Sequence, residues 1–287
     1  MGNHGPVDLP KLGGQTADTH AHLDMLDDPA GALERAAIAG VMFVATVVDV
    51  TEAPHGTFDS LSSWLEEAQR RLDEWEIPHG RPPEVRIIVG AHPHNASALG
   101  DEEMRLLLRL AKDPRVAAIG EIGLDFHYDH SPRDAQRWAF RQQLEVAHTV
   151  GLPVVVHLRD AHEEGLAILE QVGVPKAGCI IHCYTADAEL VERFLQLGCH
   201  ISFAGPLTFR KADAIRSAAQ QVPLDRVLVE TDSPFLAPEP YRGTTNEPAF
   251  VVLTAAKLAE IHGVDTVDMA RATMENARAL LGGTREI

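Results

Sequence analysis

The hydrophobic positions form short apolar runs that are separated by longer amphipathic stretches. The apolar runs are rich in Val and Ile, which is typical of strands buried on both faces of a parallel sheet. Helical periodicity follows most of them and is clearest over 134–150, 161–171 and 186–197. We predict eight strands, over 16–20, 41–48, 85–91, 116–121, 153–157, 178–182, 200–203 and 227–231.

The repetition of strand and helix sets the predicted fold class. Eight such units in 287 residues fit a closed α/β barrel, the (β/α)8 TIM barrel, better than an open doubly wound sheet. We expect a single domain over 1–287 with its core over 16–281, closed by helices over 249–262 and 266–281. The connection 51–83 is long and contains a predicted helix over 61–76, so we interpret it as an excursion on the barrel rim.

Composition indicates a soluble protein. Hydrophobic residues make up 45% of the chain and charged residues 23%, as in ordinary globular proteins. No apolar stretch approaches the ~18 residues of a membrane span, and the first residues lack the pattern of a secretory signal. The three cysteines have no zinc-ribbon spacing, which indicates free thiols. These features favour a cytoplasmic protein with no membrane partner, and we expect a monomer.

The charge balance restricts the mode of any nucleic-acid binding. Lys and Arg number 25 and Asp and Glu 42, which gives a net charge of −17. A protein that grips DNA by neutralising many phosphates shows the opposite balance. A nucleic-acid substrate is still compatible with the sequence, because bound divalent cations reverse the local sign. The balance argues against a tight, extended, non-specific DNA binder.

Metal-competent side chains lie where several predicted strands end. Catalytic groups of barrel enzymes come from the carboxyl ends of the strands. His20 and His22 are two apart in an extended strand, so both side chains point the same way, into the barrel mouth. His157 and His182 end the fifth and sixth predicted strands. Each histidine alone is compatible with an ordinary structural role, but their equivalent positions favour a shared metal site.

Two carboxylates complete the candidate set. Glu121 ends an apolar run, and a carboxylate buried there either accepts hydrogen bonds from nearby side chains or bridges two cations. Asp232 follows the eighth run, where a carboxylate can bind a metal and accept a proton from water. The alternative for Asp232 is a helix cap or a turn before Pro234. The six side chains together predict a two-metal hydrolase.

Longer motifs around these residues resemble the TatD-type metal-dependent hydrolases, a branch of the amidohydrolase-like barrel superfamily. The resemblance covers roughly residues 16 to 281, with the motifs in the family's order. The motifs are Asp18-Thr19-His20-Ala21-His22-Leu23-Asp24, Gly90-Ala91-His92-Pro93-His94, Gly120-Glu121-Ile122-Gly123-Leu124-Asp125, Pro153 to Ala161, His182-Cys183-Tyr184, Glu230 to Pro238, Arg242-Gly243 and Asn246-Glu247-Pro248.

The resemblance implies a ligand set and an activity. In it His20, His22 and Asp232 hold one divalent metal ion, His157 and His182 hold a second, and Glu121 bridges them. Zinc, manganese, magnesium or nickel would suit these ligands. The implied activity is phosphodiester hydrolysis of DNA at single-stranded ends, as in 3'-5' exonucleases. Other relatives resemble enzymes that remove D-amino acids from tRNA.

The sequence departs from the family pattern at two places near the mouth. The sixth strand is followed by Cys183-Tyr184-Thr185-Ala186 where the family has Cys-Phe-Ser-Gly. The usual aromatic pair after Asp125 reads Phe126-His127, which adds a histidine. Both changes, and the long segment 51–83, bear on substrate contacts rather than on metal ligation.

We expect an in-line displacement in which Asp232 takes the proton of the attacking water and fixed cations meet the developing charge. Arg159 and the pair Arg210-Lys211 are the candidate cations. His92 and His94 would donate to a phosphate or bind a further cation, or else only form a turn. Arg242 would contact substrate or form a structural salt bridge.

Two other functions stay open from the sequence. The same centre can hydrolyse carboxylic esters or amides, including D-aminoacyl-tRNA, since a metal-activated water attacks carbon as well as phosphorus. A metal-binding or partner-binding scaffold without catalysis is the third reading, and it predicts no chelator-sensitive hydrolysis.

Overall fold

A parallel sheet forms the centre of the protein. The computed structural model describes residues 9–75 and 80–283, and within them eight strands pair in sequential order. The strands are β1 (Thr16–Ala21), β2 (Val41–Asp49), β3 (Glu84–Gly90), β4 (Val116–Asp125), β5 (Val154–Arg159), β6 (Cys179–Ile181), β7 (His200–Phe203) and β8 (Val227–Val229).

Backbone hydrogen bonds close the sheet between β1 and the segment that follows β8. The amide of Asp232 donates to the carbonyl of His20 at 2.9 Å, and the amide of His22 donates to the carbonyl of Ser233 at 2.8 Å. A parallel bridge joins Ala21 and Ser233. The predicted TIM barrel is confirmed, and its seam carries residues of the candidate site.

Helices alternate with the strands around the barrel, in the order that the periodicity predicts. Helix α9 has the predicted bounds, whereas α8 begins two residues late, after a 3-10 turn over Pro248–Phe250. The helices are α1 (Pro29–Ile38), α2 (His55–Glu74), α3 (Asp101–Leu110), α4 (Arg133–Val150), α5 (His162–Val172), α6 (Ala188–Gln196), α7 (Asp213–Gln221), α8 (Val251–His262) and α9 (Thr266–Leu281).

Strand β4 extends four residues beyond its predicted end. Its extra residues pair with β5, and Gly123 faces His157 across the ladder. A Cβ at Gly123 would lie 2.0 Å from the His157 carbonyl oxygen, so only glycine permits this approach. The extension carries Asp125 to the barrel mouth beside Arg159.

The long connection after β2 differs from its prediction at the start of the helix. Helix α2 begins at His55, six residues earlier than predicted, because Phe58 belongs to the same buried stripe as Leu61, Ala68 and Leu72. The last predicted residue, Glu76, lies outside the described residues. An ion pair from Arg71 to Asp28, with 2.7 Å between Nη1 and Oδ2, ties α2 to the start of α1.

Apolar side chains fill the barrel interior below the mouth. Ala17, Phe43, Val155, Ile180 and Leu228 belong to one buried cluster contributed by several strands. Polar buried residues therefore gather at the carboxyl ends of the strands, as barrel enzymes require. In the part of the chain that the structure describes, no helix is long and apolar enough to cross a membrane.

Candidate metal centre

A cavity of about 650 Å³ opens at the carboxyl ends of the strands. Its polar lining is dominated by imidazoles and carboxylates, and Arg159 lies among them. Histidine and acidic residues that line it are His22, His92, His94, His130, His157, His182, Asp24, Asp49, Glu52, Glu121, Asp125 and Asp232. The six predicted metal ligands all lie in or directly under this cavity.

Three of the predicted ligands meet at the barrel seam. We call His20, His22 and Asp232 the seam group; one ligand atom from each lies within 4.8 Å of the others. The Oδ1 atom of Asp232 is 3.4 Å from His22 Nε2 and 3.9 Å from His20 Nε2. Asp232 has a φ of 56°, in the left-handed region that residues other than glycine seldom adopt.

A buried hydrogen-bond network positions the seam group. The Asp18 carboxylate accepts hydrogen bonds from the amide and the hydroxyl of Thr231, at 2.9 and 2.6 Å. The wholly buried Asn246 donates to the Thr231 carbonyl at 2.8 Å. Burial raises the pKa of Asp18 to about 8 despite the donated hydrogen bonds. The network links β1 to the end of β8 directly beside His20 and Asp232.

Glu121 lies at the centre of the site and faces histidines from several strands. Its Oε2 atom is 3.1 Å from His20 Nε2. Its Oε1 atom is 2.6 Å from His157 Nδ1, 3.2 Å from His182 Nε2 and 3.4 Å from His92 Nε2. Burial raises the pKa of Glu121, but the imidazoles of His182, His92 and His20 outweigh it and hold that pKa well below its usual value.

The structure also groups His92 and His157 around Glu121. We call these three residues the opposite group, and their ligand atoms again lie within 4.8 Å of one another. His92 caps the 3-10 turn Pro93–Ala98, with its Nδ1 accepting from the His94 amide at 3.2 Å. Its Nε2 then faces Glu121. His92 therefore begins the predicted turn and also lies beside the Glu121 carboxylate.

His182 lies between the two groups. Its ring stacks on that of His20, with 3.8 Å between ring centres, and its Nδ1 lies 2.7 Å from Glu230 Oε1. Burial lowers the pKa of His182, but the charges of Glu230 and Glu121 outweigh it and raise that pKa well above its usual value. His182, His20 and Glu230 thus form a third compact cluster of ligand atoms.

Comparison with known proteins identifies the family. A sequence model of the family described as TatD related DNase matches residues 17–282. The chain belongs to this family. It is 38% identical to the metal-dependent hydrolase YcfH of Escherichia coli (strain K12), over 90% of this chain and 92% of that one. It is 37% identical to the 3'-5' ssDNA/RNA exonuclease TatD of Erwinia amylovora, over 68% of this chain and 77% of that one.

The fold of this TatD-family hydrolase matches that of a solved relative. The crystal structure of YjjV, a TatD homologue of Escherichia coli K12, aligns with a TM-score of 0.78 and 27% identity, covering 93% of this chain and 98% of that one. The resemblance that the motifs indicate is therefore confirmed, and the chain is a TatD-family metal-dependent hydrolase with a TIM-barrel fold.

The donor set of the TatD-family hydrolase fits divalent metal ions. Imidazole nitrogens and carboxylate oxygens converge within 4.8 Å in each of three clusters. Mixed nitrogen and oxygen donors of this kind suit zinc, nickel and manganese. The sequence alone could not show that Glu121 supplies one oxygen to each side of the cavity.

Two carboxylates that sequence reasoning did not assign position the histidines. The Oδ2 atom of Asp125 lies 3.2 Å from His157 Nε2 and 2.8 Å from His94 Nε2. Burial raises the pKa of Asp125, but the hydrogen bonds from His157, from the Tyr128 amide and from His94 together outweigh it and lower that pKa. Glu230 has the corresponding place behind His182. Asp125 lies in the same motif as Glu121, and Glu230 lies in the same motif as Asp232. This nearness to a predicted metal ligand is the sequence signal that could have identified them.

The predicted substrate contacts divide between two cavities. His92, His94 and Arg159 line the central cavity, and the Arg159 guanidinium lies 4.7 Å from the Tyr128 ring centre. Arg242 instead stacks on Phe209, at 4.3 Å from its ring centre. Together with Arg210 and Lys211 it lines a separate cavity of about 470 Å³. The structure therefore does not bring Arg242, Arg210 or Lys211 to the metal ligands.

Proposed function

We propose that this hydrolase is a phosphodiesterase that removes nucleotides from single-stranded DNA ends, in the manner of a 3'-5' exonuclease. The observation that carries the proposal is the position of Glu121, with one oxygen toward the seam group and the other toward His157 and His182. A carboxylate so placed suits a dinuclear centre for in-line displacement at phosphorus. Similarity to the Erwinia exonuclease supports the substrate class.

We assign ligands of the second metal from the ring nitrogen of each histidine that faces away from Glu121. With a metal bound beside Glu121, His157 would keep its proton on Nε2, which faces Asp125, and His182 would keep its proton on Nδ1, which faces Glu230. The other ring nitrogen of each histidine would then be free to bind the metal. His92 has the reverse arrangement, because its Nδ1 accepts a hydrogen bond and its proton stays on Nε2. We therefore assign His157 and His182 as ligands and His92 as a donor to substrate.

The seam group completes the assignment. In this proposal His20, His22 and Asp232 would hold the first metal, and Glu121 would be a ligand to both metals. Bound divalent cations supply Lewis-acid activation of water and of the phosphoryl oxygen. Imidazole and carboxylate ligands accommodate zinc, manganese, nickel and magnesium, so availability decides which is bound.

The remaining steps belong to the protein's own side chains. Burial raises the pKa of Asp232, but the hydrogen bond from His22 and the charges of His182, His20 and His22 together outweigh it and lower that pKa. The group is therefore ionised at neutral pH and accepts the proton of the attacking water. His92 Nε2 and the Arg159 guanidinium donate to the phosphoryl oxygens as negative charge develops on them. His94, held by Asp125, lies beside them at the mouth.

The deciding experiment compares two substrates on one metal-loaded preparation. We expect mononucleotides to be released from the 3' end of labelled single-stranded DNA, and a chelator to abolish their release. Deacylation of D-aminoacyl-tRNA without nucleotide release would instead support the ester-hydrolase alternative. Absence of any chelator-sensitive hydrolysis would support a scaffold.

A matched pair of carboxamide variants assigns the activity to the centre. Glu121→Gln should abolish nucleotide release. Glu52→Gln changes a carboxylate that lines the same cavity but bonds to Asn95 Nδ2 at 2.9 Å, and it should leave turnover nearly unchanged. Equal losses in both variants would contradict the central role of Glu121.

A further inference from the structure

Exposed apolar side chains are concentrated at the mouth of the central cavity. Eight large hydrophobic side chains are exposed among the described residues, and four of them, Met25, Tyr128, Phe235 and Leu236, line this one cavity. As whole residues, Phe235 is 47% exposed and Tyr128 is 50% exposed. Because the cavity floor is formed by imidazoles and carboxylates, this apolar rim is a distinct feature of the site.

Phe235 is held in its exposed position by buried structure. Asn246 is wholly buried, and its Nδ2 donates to the Phe235 carbonyl at 2.7 Å. The next residue, Leu236, has a φ of 55°, which a branched side chain seldom adopts. A Cβ at Gly205 would lie 1.9 Å from the Leu236 carbonyl oxygen, so the loop after β7 closes tightly against this turn. The ring reaches His22 of the seam group, with 5.9 Å between ring centres.

Tyr128 is held equally firmly beside the other end of the site. Its amide donates to Asp125 Oδ1 at 2.9 Å, while the second oxygen of Asp125 faces His157. The ring stacks on His130 with 5.5 Å between ring centres and an interplanar angle of 6°. The guanidinium carbon of Arg159 lies 4.7 Å from the ring centre, and Tyr128 still keeps half of its surface exposed. One aromatic ring thus accompanies the seam group and another accompanies His157.

The charge of the protein makes such rings important for affinity. A net charge of −17 leaves little attraction for a phosphate backbone, and of the described residues Arg159 is the Lys or Arg that lines the central cavity. Single-stranded nucleic acid is commonly bound by stacking of bases on aromatic side chains, which is tolerant of sequence because every base has a π face.

From these observations we propose that Phe235 and Tyr128 are stacking surfaces for the two nucleobases that flank the scissile phosphate. The enzyme then recognises a dinucleotide unit, with one base on each ring and the phosphate over Glu121. This specificity rests on the phosphodiesterase function proposed above and adds the part of the substrate that the metal ligands do not contact.

The first test combines side-chain and base removal. Phe235→Leu and Tyr128→Leu keep an apolar side chain but remove the ring, and each should raise KM for single-stranded DNA about ten-fold, the scale of one base stack. An abasic residue at the terminal or penultimate position should raise the KM of the unaltered enzyme similarly. On the abasic substrate that lacks the base stacked on the replaced ring, each leucine variant should have the same KM as the unaltered enzyme.

The control variant is Trp138→Leu, since Trp138 is an exposed aromatic residue of α4 outside the cavity lining. Trp138→Leu should leave KM for single-stranded DNA unchanged. Phe235→Trp keeps an aromatic ring, so its KM should stay close to that of the unaltered enzyme. Equal losses by Phe235→Leu on base-bearing and abasic substrates would overturn the proposal and assign the ring a structural role beside His22. Unchanged KM in both leucine variants would overturn it as well.

A binding measurement separates this proposal from the proposed function. A hydrolysis-resistant phosphorothioate oligonucleotide with 2-aminopurine in its last two positions should lose fluorescence on binding, and each leucine variant should lessen that quenching. If the unaltered enzyme cleaves no phosphodiester, the proposed function fails. If it cleaves DNA but neither variant changes the quenching, only the stacking proposal fails.

Discussion

The two sides of the proposed metal centre are supported in different ways. The seam group depends on main-chain and buried polar contacts, since Asp18 binds the amide and hydroxyl of Thr231 exactly where the barrel closes. His157 and His182 depend instead on single carboxylates behind each ring, Asp125 and Glu230. The seam side therefore couples ligand geometry to the stability of the fold. On the side of His157 and His182, ligand geometry is instead coupled to the protonation of the imidazoles.

Glu121→Gln should have the largest effect, because Glu121 is common to both sides. An amide cannot supply two anionic oxygens, so we expect loss of both metal ions and of turnover. Elemental analysis of the purified variant, together with nucleotide release, measures this. A variant that retains two equivalents of metal and full turnover would show that the two sides do not share this ligand.

Thr231→Val should mainly affect the seam side. It removes the hydroxyl that donates to Asp18 Oδ2 at 2.6 Å and leaves a buried carboxyl with one donor fewer. We expect the free energy of unfolding of the metal-free protein to fall by about 1–3 kcal/mol, in a denaturant titration. The exposed Thr245→Val is the matched control and should change it little. Unaltered stability in Thr231→Val would remove the coupling between seam and fold.

Asp125→Asn should affect the other side with little cost in stability. The amide oxygen can still accept from the amides of His127 and Tyr128, but its NH2 group would face His157 Nε2 and move the imidazole proton to Nδ1. That proton blocks the nitrogen directed at Glu121. We expect metal affinity to fall ~10–100-fold, as for other partners of ligating histidines. Isothermal titration with zinc measures it, and unchanged affinity would contradict the assigned tautomer.

The contrast between the two sides also explains what the sequence could predict. The apolar runs are sufficient for the barrel and its strand order, and residues at predicted strand ends such as His157 and His182 line the cavity because parallel strands end together. The role of His92 depends on which of its ring nitrogens accepts the hydrogen bond from the His94 amide. The sequence of a turn after a strand does not reveal this. Asp125 enters the site only because β4 runs on past Glu121, where its own Gly123 permits the close approach to His157 of β5. Arg242 shares a motif with the site but stacks on Phe209 and lines the separate cavity, a contact between two loops that the sequence pattern does not reveal.

A predicted effect on acid stability alone lies outside both sides of the centre, at His200 of β7. Burial, and then the charge of Arg226, lowers the pKa of His200 to about 4 in the folded protein. The unfolded chain therefore binds its proton first as pH falls, so the stability that the neutral imidazole contributes is present above about pH 6.5 and is lost toward pH 4. We expect the unfolding free energy of the metal-free protein to drop ~2 kcal/mol less over this interval in His200→Gln than in the unaltered chain. If the unfolding free energies of the two proteins changed in parallel with pH, this linkage would be refuted. The acid sensitivity would then be assigned to the histidines of the proposed metal centre.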